Sequence, residues 1–132
     1  MPDFHETLVK DVMQSTVSTI EPTCSLADAA WKMYADRVSC LIVDLDDPSR
    51  GFGIVTQKDL VGFMTDPAGV EGLTVSDAMT TPIVTVPSSY SLATAIQFMR
   101  MYGVRRLPVV DDGHITGLLT MTDIFRFEVG KA

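Results

Sequence analysis

Two short stretches carry the side chains best suited to hold a small polar ligand, GIVTQKD (Gly53 to Asp59) and GLLTMTD (Gly117 to Asp123). In each, a threonine precedes an aspartate by three residues, where an apolar extended run gives way to a helical pattern. Read as structure, T-x-x-D is a near relative of the helix capping box. Its hydroxyl and carboxylate satisfy the unpaired N–H groups of a first helical turn. Read as chemistry, the same place attracts an anion, because a helix start presents free N–H groups and the positive end of the dipole. A threonine hydroxyl there can also bond a phosphate oxygen. An aspartate carboxylate accepts two hydrogen bonds at once, which suits a cis-diol such as the ribose 2′,3′ pair. The two readings are compatible.

Arg105 and Arg106 stand just before an apolar run, where the matching positions of the other half are Ser39 and Cys40. Guanidinium is planar and always charged, so the pair suits phosphate; Lys58, beside Asp59, could add a third positive charge. Other candidates carry less. Asp44 to Asp47 begins like a calcium loop, but its twelfth position is Val55, where a bidentate glutamate is needed. Gly51 and Gly53 lack the third glycine of a dinucleotide fingerprint. His5 and His114 fall in no recognisable ligand or catalytic motif, and Cys24 and Cys40 form no C-x-x-C. They read as small residues in a reducing compartment. Met33, Met99 and Met101 read as packing residues. No Ser/His/Asp or Cys/His arrangement can be assembled, so the chain is not expected to be an enzyme.

The elements that must position these residues occur twice. Asp11-Val12-Met13 returns as Asp77-Ala78-Met79, Ser25-Leu26-Ala27 as Ser91-Leu92-Ala93, and Leu41-Ile42-Val43 as Leu107-Pro108-Val109, each 66 residues on. The T-x-x-D blocks are 64 apart, and the difference falls in the polar segment Asp44 to Gly51, as a surface turn allows. Each copy reads as a short helical turn holding D-x-M, with Thr74 and Asp77 at capping-box spacing. An extended piece follows (Val17 to Ile20, Ile83 to Val86), then an amphipathic helix capped by Ser25 or Ser91. The apolar stripes are Leu26, Ala29, Ala30, Met33, Tyr34 and Leu92, Ala95, Ile96, Met99. A buried strand, a hairpin turn (Asp112-Gly113 in the second copy), a return strand and a last helix complete the unit. About sixty residues bury too little surface to be comfortable alone, so two copies should share a core.

The chain has 132 residues, 46% of them hydrophobic, with ten Lys and Arg against seventeen Asp and Glu and a net charge of −7. That balance argues against nucleic acid and against an anionic membrane surface. No apolar run approaches the length of a membrane span, and the N-terminus has no leader pattern. A cytoplasmic protein is expected.

In this order and in duplicate, D-x-M, V-x-x-L-x-V and G-h-h-T-x-x-D resemble the cystathionine-β-synthase (CBS) domain, over about Asp11 to Phe127. The resemblance implies an α/β fold of two pseudo-symmetric β-α-β-β-α CBS repeats packed as one CBS pair. Repeat 1 would span 7–66, a linker 67–73 and repeat 2 74–128. It implies a free-standing regulatory module that binds AMP, ADP or ATP in two clefts and signals occupancy to a partner protein. No resident cofactor is implied, although magnesium could accompany ATP. A disc-shaped homodimer is implied as well. One cleft would use Thr120 and Asp123 with Ser18, Thr19, Val38, Ser39 and Cys40. The other would use Thr56 and Asp59 with Val84, Thr85, Arg105 and Arg106. The alternatives are an interaction or oligomerisation module with empty clefts, or S-adenosylmethionine as the ligand.

Overall fold

The computed structural model describes residues 4–47 and 49–130. The chain is α/β, with two repeats of one design, and it divides into two compact units. The first is Ser18–Ile83. The second joins Met1–Val17 to Val84–Ala132.

In the first unit, β1 (Thr19–Ile20) runs parallel to β2 (Cys40–Asp44), which pairs antiparallel with β3 (Phe52–Thr56). Between β1 and β2 lies α1 (Leu26–Asp36). Ser25 caps it by accepting the N–H of Asp28 at 3.0 Å. The helix stops at Arg37, which takes left-handed φ of 56°. Its counterpart in the second unit is Gly103, at φ 65°. α2 (Gln57–Met64) follows β3 without a loop, and α3 (Val75–Ala78) closes the unit. Thr74 and Asp77 cap α3 as their spacing predicts, Thr74 N donating to Asp77 Oδ2 at 2.8 Å.

The second unit repeats the plan. After a single 3-10 turn (Val9–Asp11) come α4 (Leu92–Tyr102), capped by Ser91, then β4 (Arg106–Asp111), β5 (His114–Thr120) and α5 (Met121–Val129). Asp112 and Gly113 turn the β4–β5 hairpin with φ of 51° and 79°, both positive as a two-residue hairpin turn requires. One element is missing. The extended piece before α4 meets β4 through the single bridge Val86–Val109 and forms no strand. The cause lies in β4. In the first unit, Ile42 N donates to Ser18 O at 3.0 Å and extends the parallel pairing. Pro108 stands in the place of Ile42 and has no N–H to give.

The two cores use matching positions. Leu26, Ala29, Met33, Leu41, Val43, Val55 and Leu60 are buried together in the first; Leu92, Ala95, Met99, Leu107, Val109, Leu119 and Ile124 are their equivalents in the second. One pair is exchanged. Val75 belongs to the first core and Val9, 66 residues earlier, to the second. Each unit is thus completed by the D-x-M segment of the other sequence repeat. The segment docks by an antiparallel bridge, Thr80 with Ile54 and Gln14 with Leu118. The glycine that opens G-h-h-T lies under this joint. A Cβ at Gly117 would run into Met13 Sδ and stand 2.9 Å from Gln14 O; at Gly53 it would meet Thr80 O at 3.1 Å and Met79 Sδ at 3.2 Å.

Two residues assigned to packing by their pattern are exposed instead. Tyr34 is 78% exposed and Met101 71%. At 100° per residue Tyr34 lies about 80° round the helix from Leu26, at the edge of the stripe. Met101 lies two residues past the buried Met99 and faces away from the core. Met33 and Met99 are buried as expected. The Asp44 to Asp47 carboxylates close turns: Asp44 accepts from Asp46 N, and Asp47 from Ser49 N and Oγ.

Three predictions concern stability. Gly117→Ala should destabilise by about 1–3 kcal/mol, because backbone and Met13 must both shift. Gly62→Ala, in α2 with open space at its Cβ, should stabilise by about 0.5–1 kcal/mol. Urea melts of both variants check the opposite signs. Asp111 accepts from Thr116 Oγ1 at 2.7 Å and from Ser88 N at 3.0 Å. The Thr116 hydroxyl first, then Ser88, holds its carboxyl below the ordinary 3.8. A depressed acid stabilises above its unfolded pKa and stops doing so as pH falls through the folded one. Asp111→Ala should therefore melt below the wild type at neutral pH, and the gap should close in acid.

Candidate functional site

In both units the last strand residue is also the cap of the next helix, so T-x-x-D sits where sheet becomes helix. Thr56 Oγ1 accepts from Asp59 N at 3.2 Å and donates to Asp59 Oδ2 at 2.9 Å, and Thr56 N donates to the same oxygen at 2.9 Å. Thr120 Oγ1 accepts from Asp123 N at 3.1 Å and donates to Asp123 Oδ2 at 2.7 Å. The capping reading of the motif therefore holds in full for Thr56–Asp59. It also limits the other reading. Each hydroxyl spends its proton on its own aspartate, so the threonine fixes the carboxylate instead of reaching for phosphate.

The first N–H of each helix is also engaged. Gln57 N donates to Ser39 O at 2.9 Å, and Met121 N to Arg105 O at 3.0 Å. These bonds tie each T-x-x-D to the residue just before its own unit's first hairpin strand, β2 or β4. The sheet register agrees: Cys40 stands opposite Thr56, and Arg106 opposite Thr120. Within the first unit the structure therefore gathers Ser39, Cys40, Thr56 and Asp59; within the second it gathers Arg105, Arg106, Thr120 and Asp123. Asp59 and Asp123 are half-buried, Cys40 is buried, Ser39 and Arg105 are exposed and Arg106 is half-buried.

The remaining expected residues flank these groups. Ser18 gives its carbonyl to Ile42 N and its hydroxyl to Asp36 Oδ2 at 2.9 Å. Thr19 is exposed on β1. Val38 packs at the margin of the first core, Val84 at that of the second, and Thr85 is half-buried beside Val86. One residue was missed by the sequence reading. Gln14 Nε2 donates to Asp123 Oδ1 at 3.2 Å and to Oδ2 at 3.0 Å. The available signal was its alignment with Thr80, a mismatch beside the matched D-x-M.

Chemically, each unit offers a carboxylate held in a fixed orientation at a helix start, next to a strand end. One unit adds two guanidinium groups. Such a carboxylate can receive paired hydroxyl donors. Among the described residues, no helix is long and apolar enough to cross a membrane.

Comparison with known proteins identifies the family and the fold. The CBS domain model matches residues 9–66 and again 75–130. The CBS domain-containing protein YhcV of Bacillus subtilis is 32% identical over 117 residues, which are 88% of this chain and 81% of that protein. The uncharacterized protein MK0525 of Methanopyrus kandleri is 30% identical over 122 residues, 91% of this chain, and the chain spans 62% of its length. Among solved structures, the CBS domain pair of protein MJ0100, in complex with 5′-methylthioadenosine and S-adenosyl-L-methionine, superposes with a TM-score of 0.79. It has 26% identity, with 96% of this chain and 98% of that one covered.

The caps can be tested alone. Thr56→Ala and Thr120→Ala should each cost about 1 kcal/mol of stability in denaturant melts, and Thr→Ser should restore most of it.

Proposed function

The chain belongs to the CBS-domain family, and from that premise we propose that it is a regulatory module, not a catalyst, that binds an adenosine nucleotide and passes occupancy to a partner protein. The observation that carries the reading is the pair of half-buried carboxylates, Asp59 and Asp123, each oriented by its threonine. A ribose diol can place one hydroxyl on each oxygen of such a carboxylate. The strand starts beside them, Ser39–Cys40 and Arg105–Arg106, supply backbone groups for a base and cations for phosphates. Ser18, Thr19 and Val38 flank the first of these groups, and Val84 and Thr85 the second. AMP, ADP or ATP is the ligand class, with magnesium accompanying ATP, and the setting is the cytoplasm.

The likeness to the MJ0100 pair favours a second reading, with S-adenosylmethionine as ligand. The same carboxylate would take its ribose. The arginines separate the two, since S-adenosylmethionine has no phosphate for them to neutralise. For self-association we place a homodimer contact on α1, where Trp31 (70% exposed) stacks edge-on with Tyr34.

Calorimetry and thermal shift with adenosine, AMP, ATP and S-adenosylmethionine test the function. A ligand at a hundredfold excess over Kd should add about 2.7 kcal/mol to stability. Asp59→Ala should weaken the site it belongs to by roughly ten- to a hundredfold. Replacing Arg105 and Arg106 with Gln should weaken ATP more than adenosine and flatten the salt dependence of ATP binding. Equal losses for both ligands would assign the arginines a structural role. Trp31→Glu should reduce the sedimentation coefficient to that of a monomer.

A further inference from the structure

The two T-x-x-D carboxylates differ in what already occupies them. Asp123 carries the Gln14 amide across both oxygens, at 3.2 Å and 3.0 Å, in addition to the Thr120 hydroxyl on Oδ2. A cis-diol would engage the same edge, one hydroxyl to each oxygen. A carboxylate has about four lone-pair positions, and these three contacts leave little of it for a diol. The amide is also delivered by fixed backbone. Gln14 N donates to Leu118 O and Leu118 N to Gln14 O, both at 2.9 Å.

In the first unit the corresponding position is Thr80. Its backbone makes the same exchange with Ile54, at 2.9 Å and 3.0 Å. Threonine has no amide, and its hydroxyl lies two bonds nearer the backbone than the Gln14 nitrogen.

We propose that Gln14 is an intramolecular stand-in for the ribose diol at Asp123, so that the Asp59 motif is the stronger ribose site and the Asp123 motif recognises ribose only after the amide is displaced. Gln14 is then a specificity-determining residue. This rests on the adenosine reading above and refines it. Gln14 and Thr80 are both exposed, so exchanging them does not disturb a core.

The test is calorimetric titration of the full chain with AMP and with its 2′,3′-dideoxy analogue. Asp59→Ala leaves the Asp123 motif as the ribose site. In that background AMP should bind weakly and barely better than the dideoxy analogue. Adding Gln14→Thr or Gln14→Ala should tighten AMP about tenfold, the order of one hydrogen bond to a charged group, and leave the dideoxy analogue unchanged. Conversely, Thr80→Gln in an Asp123→Ala background should weaken AMP by a similar factor. If AMP binds the Asp59→Ala chain equally with and without Gln14, the stand-in is overturned while nucleotide binding stands. If no variant, nor the wild type, binds AMP, adenosine or ATP, the functional reading itself fails and the stand-in with it.

Discussion

The structure depends on a joint between backbones that leaves little room for a side chain on one partner. Thr80 pairs with Ile54 and Gln14 with Leu118, each over the glycine that opens a G-h-h-T-x-x-D block. Because Gly53 and Gly117 lack a Cβ, a methionine and a carbonyl can lie against the strand. The D-x-M segment then enters the sheet's flank, and Val75 or Val9 reaches the core. From the same joint the strand runs three residues further to the threonine cap. The glycine, the methionine and the T-x-x-D motif thus belong to one construction, which explains why they travel together in both repeats.

That construction separates two tasks the sequence runs together. The threonine's hydrogen bonds turn inward, to its own aspartate. Orientation falls to the threonine, and any recognition falls to the carboxylate and to the strand start tied to it through Ser39 or Arg105. In an acidic chain the difference between Ser39–Cys40 and Arg105–Arg106 is large, because two guanidinium groups are a concentrated source of positive charge.

Much of this was legible in the sequence, since duplication supplied its own control. A serine before each amphipathic stripe marked both caps, and Asp112-Gly113 marked the hairpin. The T-x-x-D spacing gave the strand-to-helix junctions. What escaped has physical causes. A shift of 66 residues matches Val9 to Val75 but cannot tell which core each enters, since the exchange is tertiary. Tyr34 fits a helical count yet lies too far round the helix to be buried. Pro108 was visible, but its effect, the loss of a parallel strand, requires knowing which carbonyl its absent N–H would have met. Gln14 required the docked joint before its reach to Asp123 could be seen.

The exchange of leading segments bears on how such a chain could have arisen. A gene for one repeat would encode a leading turn that does not complete its own core. Two copies of that ancestor could each finish the other by trading those turns, so an obligate pair of identical chains is a natural starting point. Fusing the two genes end to end would preserve every contact and remove the need for a second molecule. The fused joint would then fall inside one compact unit, as the segment from Met64 to Gly72 does here. Once fused, the two halves would be free to diverge separately: one has isoleucine where the other has proline, and one has threonine where the other has glutamine.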